Sequence, residues 1–233
     1  MKQNPLIIAL DVPSSLKALY YVGNLKVTGV AFKVGLELFL SAGPKIVEKI
    51  INHHVRVFLD LKFHDIPNTV ACAVEEATKM GVWMLNVHAS GGSEMMKRAK
   101  EASLSAAAKE KTDPPKLIAV TVLTSLSDLV ELAISKKVDD QVLHLAQLAK
   151  KSGLDGVVAS GREAASLRKN LGPDFTLVTP GIRGPEDDAG DQKRTLSPRE
   201  AVAAGSDFLV IGRPVLQAPR PIKIIEKILD NLS

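Results

Sequence analysis

Apolar residues along this chain gather in short continuous runs, separated by longer stretches in which they recur every three or four positions. The short runs, rich in Val, Ile, Leu and Phe, predict strands over 6–10, 30–34, 55–61, 83–88, 117–123, 156–159, 175–179 and 208–211. The periodic stretches predict helices over 14–25, 36–52, 69–80, 92–109, 139–152, 162–171, 197–204 and 220–232. Ser14, Asp139 and Ser197 stand where N-caps are expected. Several strands are apolar throughout, as in a sheet covered on both faces.

Strands and helices alternate about eight times without a break in composition, which predicts one domain over 1–233. The expected architecture is an α/β fold, a closed (β/α)8 barrel of the TIM type. A doubly wound open sheet is the structural alternative. It needs fewer strands, and neither G-x-G-x-x-G nor a P-loop occurs in the chain. No convincing short repeat and no low-complexity linker interrupt the pattern. The segment 181–198, G-I-R-G-P-E-D-D-A-G-D-Q-K-R-T-L-S-P, is longer than ordinary βα loops and reads as a lid.

Composition narrows the function. The 233 residues are 45% hydrophobic, enough for a large core, and only 4% aromatic, which argues against a base-stacking nucleic-acid surface. A net charge of +4 spread along the chain suggests anionic small ligands rather than DNA. One cysteine, Cys72, permits no intrachain disulfide and fits a reducing cytoplasm, as a small core residue. The N-terminal apolar run is too short for a signal peptide, and no stretch is long enough to cross a membrane.

Charged residues cluster where the strands end. Asp11 ends the first strand, Lys33 the second, Asp60 and Lys62 the third, and His88 the fourth. Thr124 and Ser125 follow the fifth, Pro180 the seventh, and Gly212 and Arg213 the eighth. In a barrel these are the positions of an active site, and a phosphate commonly sits after strands seven and eight. Residues two apart on a strand share a face, so Asp60 and Lys62 are expected to point the same way. Asp65 follows in a turn ended by Pro67. No His/Cys/Asp spacing suggests a zinc site. His53, His54 and His144 read as surface or structural residues, and His64 and His88 lie near the predicted site.

With these motifs the chain resembles the orotidine 5′-monophosphate decarboxylases. The resemblance rests on F-K-V-G at 32–35, D-L-K-F-H-D-I-P-N-T at 60–69, T-P-G-I-R with G-D-Q-K-R across 179–194, I-G-R-P at 211–214, and L-D-V at 10–12. It spans essentially the whole chain. It implies conversion of orotidine 5′-monophosphate to uridine 5′-monophosphate and carbon dioxide, without a metal or organic cofactor. Lys33, Asp60, Lys62 and Asp65 are then an alternating charged network, with Lys62 the proton donor. Asp11, Lys33 and Thr69 are implied to bind ribose hydroxyls, Ser125 the pyrimidine amide edge, and Pro180 the base. Gln192, Gly212 and Arg213 are implied to hold the phosphate, and Arg183 to bind substrate. The resemblance further implies a homodimer in which Asp65 and Thr69 reach the partner's site. It implies a cytoplasmic enzyme with no nucleic-acid or membrane partner, and no phosphoribosyltransferase domain is expected to be fused to it.

Two alternatives stay open at this point. One is a magnesium-dependent phosphosugar decarboxylase or aldolase of the wider superfamily, which shares D-x-K-x-x-D. Those relatives carry an acid at the end of the second strand, where this chain has Lys33. The other is a phosphate-ligand binding barrel whose catalytic site has decayed.

Overall fold

A computed structural model describes residues 4–182 and 196–232. Eight parallel strands close into a barrel in sequence order, β8 returning to β1 through Leu6 opposite Leu209. In chain order the elements are β1 (Leu6–Ala9), α1 (Ser15–Leu25), β2 (Ala31–Gly35), α2 (Leu36–Ala42), α3 (Lys45–Ile51), β3 (Val57–Phe63) and α4 (Pro67–Lys79). They continue with β4 (Met84–His88), α5 (Gly92–Glu110), β5 (Lys116–Val120), α6 (Val138–Lys151), β6 (Gly156–Val158) and α7 (Gly161–Leu171). The last are β7 (Thr176–Thr179), α8 (Pro198–Ala203), β8 (Phe208–Ile211), α9 (Arg213–Leu216) and α10 (Pro221–Asp230).

The continuous apolar runs have two faces to cover. Ile7, Ala9, Ala31, Phe58, Met84, Ile118 and Val178 point inward and fill the barrel. Their neighbours, among them Leu6, Ile8, Phe32, Leu59 and Leu85, point outward and pack under the helices. The N-terminal mouth is plugged by Trp83 edge-on to Phe208, with ring centroids 5.0 Å apart, and by the Arg56 guanidinium 4.7 Å over the Trp83 ring. Two aspartates play matching parts beside alternate strands. Asp155 accepts from Leu117 N and Lys100 Nζ, and Asp207 from Leu177 N and Arg168 Nη2. That correspondence is invisible as a sequence repeat because it rests on single residues.

Several expected boundaries move. The helix expected over 36–52 breaks at Gly43–Pro44. Gly43 takes a left-handed φ of 69° and donates to Phe39 O, while Pro44 has no N–H to continue the ladder. β3 runs to Phe63, β5 stops at Val120, and α4 starts at Pro67. Ser14 and Ser197 cap their helices as expected, but Asp139 lies inside the first turn of α6, whose cap position is Lys137. Cys72 is exposed, on α4, and not a core residue. Among the described residues no helix is long and apolar enough to cross a membrane.

Candidate active site

Strand alternation builds most of the site. Inward positions ascend in steps of two, from Ala9 to Asp11, Ala31 to Lys33, Phe58 to Asp60, Met84 to Asn86, Val178 to Pro180 and Val210 to Gly212. At the C-terminal mouth the apolar fill therefore gives way to charge. The mouth holds a cavity of about 740 Å³, with Asp11, Lys33, Asp60 and Lys62 on one side and Ser125, Pro180, Gly212 and Arg213 among its other walls.

The four charged groups form one chain of contacts. Lys33 Nζ lies 2.9 Å from Asp11 Oδ1 and 3.2 Å from Asp60 Oδ2, and Lys62 Nζ lies 2.7 Å from Asp60 Oδ1. Asn86 Nδ2 donates to the same Asp60 Oδ1 at 2.7 Å. The Lys33 and Asp60 side chains are only 10% and 12% exposed. Burial alone pulls the Lys33 amine down, but Asp60 and Asp11 outweigh it and hold its pKa above the ordinary lysine value. Burial alone pushes Asp60 up, but Lys33 and Lys62 outweigh it and hold that carboxyl below the ordinary aspartate range. Both groups keep their charges at neutral pH. His88 goes the other way. Burial lowers its pKa, helped by His64 and Lys62 against the opposing pull of Asp60.

Lys62 reaches Asp60 by a route that simple alternation does not give. The β3–β4 register jumps between Leu59 opposite Leu85 and Phe63 opposite Val87, so β3 bulges across Asp60, Leu61 and Lys62. Lys62 takes a left-handed φ of 53°. Such a backbone costs a non-glycine residue about 1–2 kcal/mol. The expected pairing of Asp60 with Lys62 holds, but a strained bulge produces it rather than a shared strand face.

Other predicted residues separate into three groups. Ser125, Pro180, Gly212 and Arg213 line the same cavity as the charged network. Asp65 and Thr69 are exposed, and neither lines this cavity. Asp65 Oδ1 instead accepts from Ile66 N at 2.6 Å. Arg183 and Gln192, with most of the segment expected as a lid, lie outside the described residues.

Three site residues escaped the sequence reading. Asn86 is 1% exposed and touches both Asp60 and Lys62. It sits on an inward position of β4, two beyond Met84, so the alternation rule could have found it. Lys17 and Tyr21, one helical turn apart on α1, also line the cavity. Tyr21 Oη donates to Leu216 O at 2.8 Å, tying α1 to the short helix that begins with Arg213. Among the described residues no group of three or more His, Cys, Asp or Glu side chains could hold a metal ion.

Known proteins resemble this chain over essentially its whole length. The Orotidine 5'-phosphate decarboxylase / HUMPS family matches residues 4–228. Orotidine 5'-phosphate decarboxylase from Pseudoalteromonas translucida is 52% identical, over 100% of this chain and 98% of its own length. The enzyme of the same name from Hydrogenovibrio crunogenus is 51% identical, over 98% of this chain and 95% of its own. Among solved structures, orotidine 5'-phosphate decarboxylase from Lactobacillus acidophilus superposes with a TM-score of 0.86 at 39% identity, covering 99% of each chain.

Proposed function

We propose a mechanism for a chain that belongs to the Orotidine 5'-phosphate decarboxylase / HUMPS family and decarboxylates orotidine 5′-monophosphate to uridine 5′-monophosphate in pyrimidine biosynthesis. The magnesium-dependent alternative is not favoured, because the relatives that match along the full chain are orotidine 5'-phosphate decarboxylases. The observation that carries the mechanism is the Lys62 ammonium held 2.7 Å from Asp60 Oδ1, while Lys33 holds the other oxygen of the same carboxylate.

In this reading the bond from the pyrimidine ring to the substrate carboxylate breaks and carbon dioxide leaves. The electron pair stays on the ring carbon. Lys62 gives that carbon a proton and is left as a neutral amine, which water reprotonates. The fixed ammonium stabilises the developing carbanion without having to reorganise. Asp60 faces the substrate carboxylate. Two like charges about 4 Å apart repel by roughly 4 kcal/mol at an effective dielectric near 20, and this repulsion is relieved as carbon dioxide forms.

Asp11 and Lys33 bind ribose hydroxyls, Ser125 the pyrimidine amide edge, and Pro180 packs at the base. Gly212 and Arg213, with Gln192, hold the phosphate, and Arg183 binds substrate. Phosphate binding, remote from the ring, supports the chemistry at the ring. Asp65 and Thr69 serve the site of a second copy of this chain in a homodimer. Support comes from their exposure outside the cavity of their own subunit, beside Ile66, which is 67% exposed. We also propose that residues 1–233 act as one catalytic domain in the cytoplasm.

The test follows the loss of orotidine 5′-monophosphate absorbance with purified protein and its Lys62→Ala variant. Turnover should fall by at least about a thousandfold in Lys62→Ala, since both a proton donor and a charge aimed at the transition state are lost. Circular dichroism and the thermal midpoint should remain close to wild type. A folded Lys62→Ala protein with near-normal turnover would remove Lys62 from the role of acid.

A further inference from the structure

Asn86 lies in the middle of β4. Its two polar atoms serve opposite sides of the β3 bulge. Nδ2 donates to Asp60 Oδ1 at 2.7 Å, and Oδ1 accepts from the Lys62 backbone N–H at 2.8 Å. Because β3 and β4 slip out of register between Leu59 and Phe63, the ladder offers that N–H no regular backbone partner. A buried amide left unpaired is costly, and the Asn86 carboxamide takes the place of the missing ladder bond.

We propose that Asn86 is the positioning residue of the decarboxylation site. It braces Lys62 in its left-handed conformation and fixes the Asp60 carboxylate between the two ammoniums. One rigid, planar group thereby sets both members of the Asp60–Lys62 pair. The carboxamide is suited to this because it is neutral and carries a donor and an acceptor. A carboxylate at this position would face Asp60 without a proton to share, and an aliphatic group would leave both partners unmet. Asn86 does not line the cavity, so it acts through Asp60 and Lys62 rather than on substrate. The inference rests on the proposed role of that pair.

The experiment compares Asn86→Ala, Asn86→Asp and Lys62→Ala with wild type by kcat, KM and pH profile. In Asn86→Ala, kcat should fall roughly 10- to 100-fold, the effect of losing one or two hydrogen bonds to charged or strained groups, with KM within about threefold. Asn86→Asp keeps the shape but places two carboxyl oxygens at the Asp60 contact. Their repulsion raises the affinity of the new carboxyl for a proton. Its loss should be larger at neutral pH and should shrink as pH falls, because a protonated carboxyl again donates to Asp60 and accepts from Lys62 N–H. A role in packing alone gives a loss whose ratio to wild type does not vary with pH.

Turnover within about threefold of wild type in both Asn86 variants would overturn the inference, as would losses with a constant ratio across the pH range. If Asn86→Ala and Asn86→Asp do not fold, hydrogen exchange in wild type decides. The Lys62 amide should exchange slowly, as a buried bonded N–H does, and fast exchange would overturn the brace. The Lys62→Ala arm separates the two readings. If it stays active, the network itself fails. If it is inactive while both Asn86 variants behave as wild type, only the brace fails.

Discussion

Asp60→Asn keeps the shape of the side chain at the centre of the network and removes its charge. In wild type this carboxylate faces ammoniums at 3.2 Å and 2.7 Å. At an effective dielectric near 20 these separations correspond to roughly 5 and 6 kcal/mol of attraction. Desolvation of the ions offsets much of that, so the measurable loss is set by the charge left stranded, typically about 3–5 kcal/mol for a broken buried pair. Two features favour the lower end. Lys62 is 31% exposed and can turn to water, and Lys33 keeps Asp11 at 2.9 Å. The expected loss is therefore about 3 kcal/mol, equivalent to a fall of roughly 6–12 °C in thermal midpoint for a chain of this size.

Equilibrium urea unfolding at pH 7 measures this loss, with protein concentration fixed because the proposed dimer would make stability concentration-dependent. The pH dependence gives a second check. Asp60 has a lowered pKa in the folded state, so its contribution is present above the unfolded value and fades as pH falls through the folded one. The gap between wild type and Asp60→Asn should hold from neutrality to about pH 4 and close below it. Turnover should drop by at least about a hundredfold, since Lys62 loses its anchor. A stability change below about 1 kcal/mol, or a gap that widens in acid, would refute the claim that Asp60 holds both lysines.

Three further outcomes are expected. Gly35→Ala would place a Cβ 3.0 Å from Lys33 Nζ and 3.3 Å from Asp11 Oδ1, and displacing the amine by a few tenths of an ångström should lower turnover on the order of tenfold with little change in thermal midpoint. Unchanged kcat there would mean that the amine's position is not critical. Arg213→Ala should raise KM for the phosphorylated substrate far more than it affects the slow reaction of orotidine without phosphate, and equal proportional losses would argue for a role in the fold or at the ring. Mixing inactive Lys62→Ala and Asp65→Ala proteins under subunit exchange should restore activity toward about a quarter of all sites, because each heterodimer carries one site with both lesions and one with neither. No recovery despite demonstrated exchange would return Asp65 to the site of its own subunit.

The barrel was legible because eight apolar runs covered on both faces leave little room for another sheet. Asp11, Lys33 and Asp60 were legible for a related reason, since each is a charge at the end of an apolar run. The missed features share a physical cause. Asn86 sits inside the run M-L-N-V-H, where one polar residue carries no signal until its partners on β3 are known. The left-handed backbone at Lys62 depends on a register slip between two strands, which no single-strand pattern encodes. α9 is too short for helical periodicity to register. The break at Gly43–Pro44 had a local signal, a G-P pair, but the apolar period on both sides masked it.

Lys33 and Lys62 are balanced by Asp11 and Asp60, and His88 is held toward its neutral form, so the network within one subunit is close to neutral. Under the proposed mechanism the substrate carboxylate adds a negative charge beside Asp60, and its departure as carbon dioxide moves that charge onto the ring, within reach of Lys62. A mobile array would relax around the bound carboxylate and lose its preference for the later charge distribution. This array is not free to do so. Asp60 is held on one oxygen by Lys33 and on the other by Lys62 and Asn86, and the Lys62 backbone is held by the same asparagine. Rigidity at Asp60 is thus what lets a set of ordinary side chains favour the charge on the ring over the charge on the carboxylate.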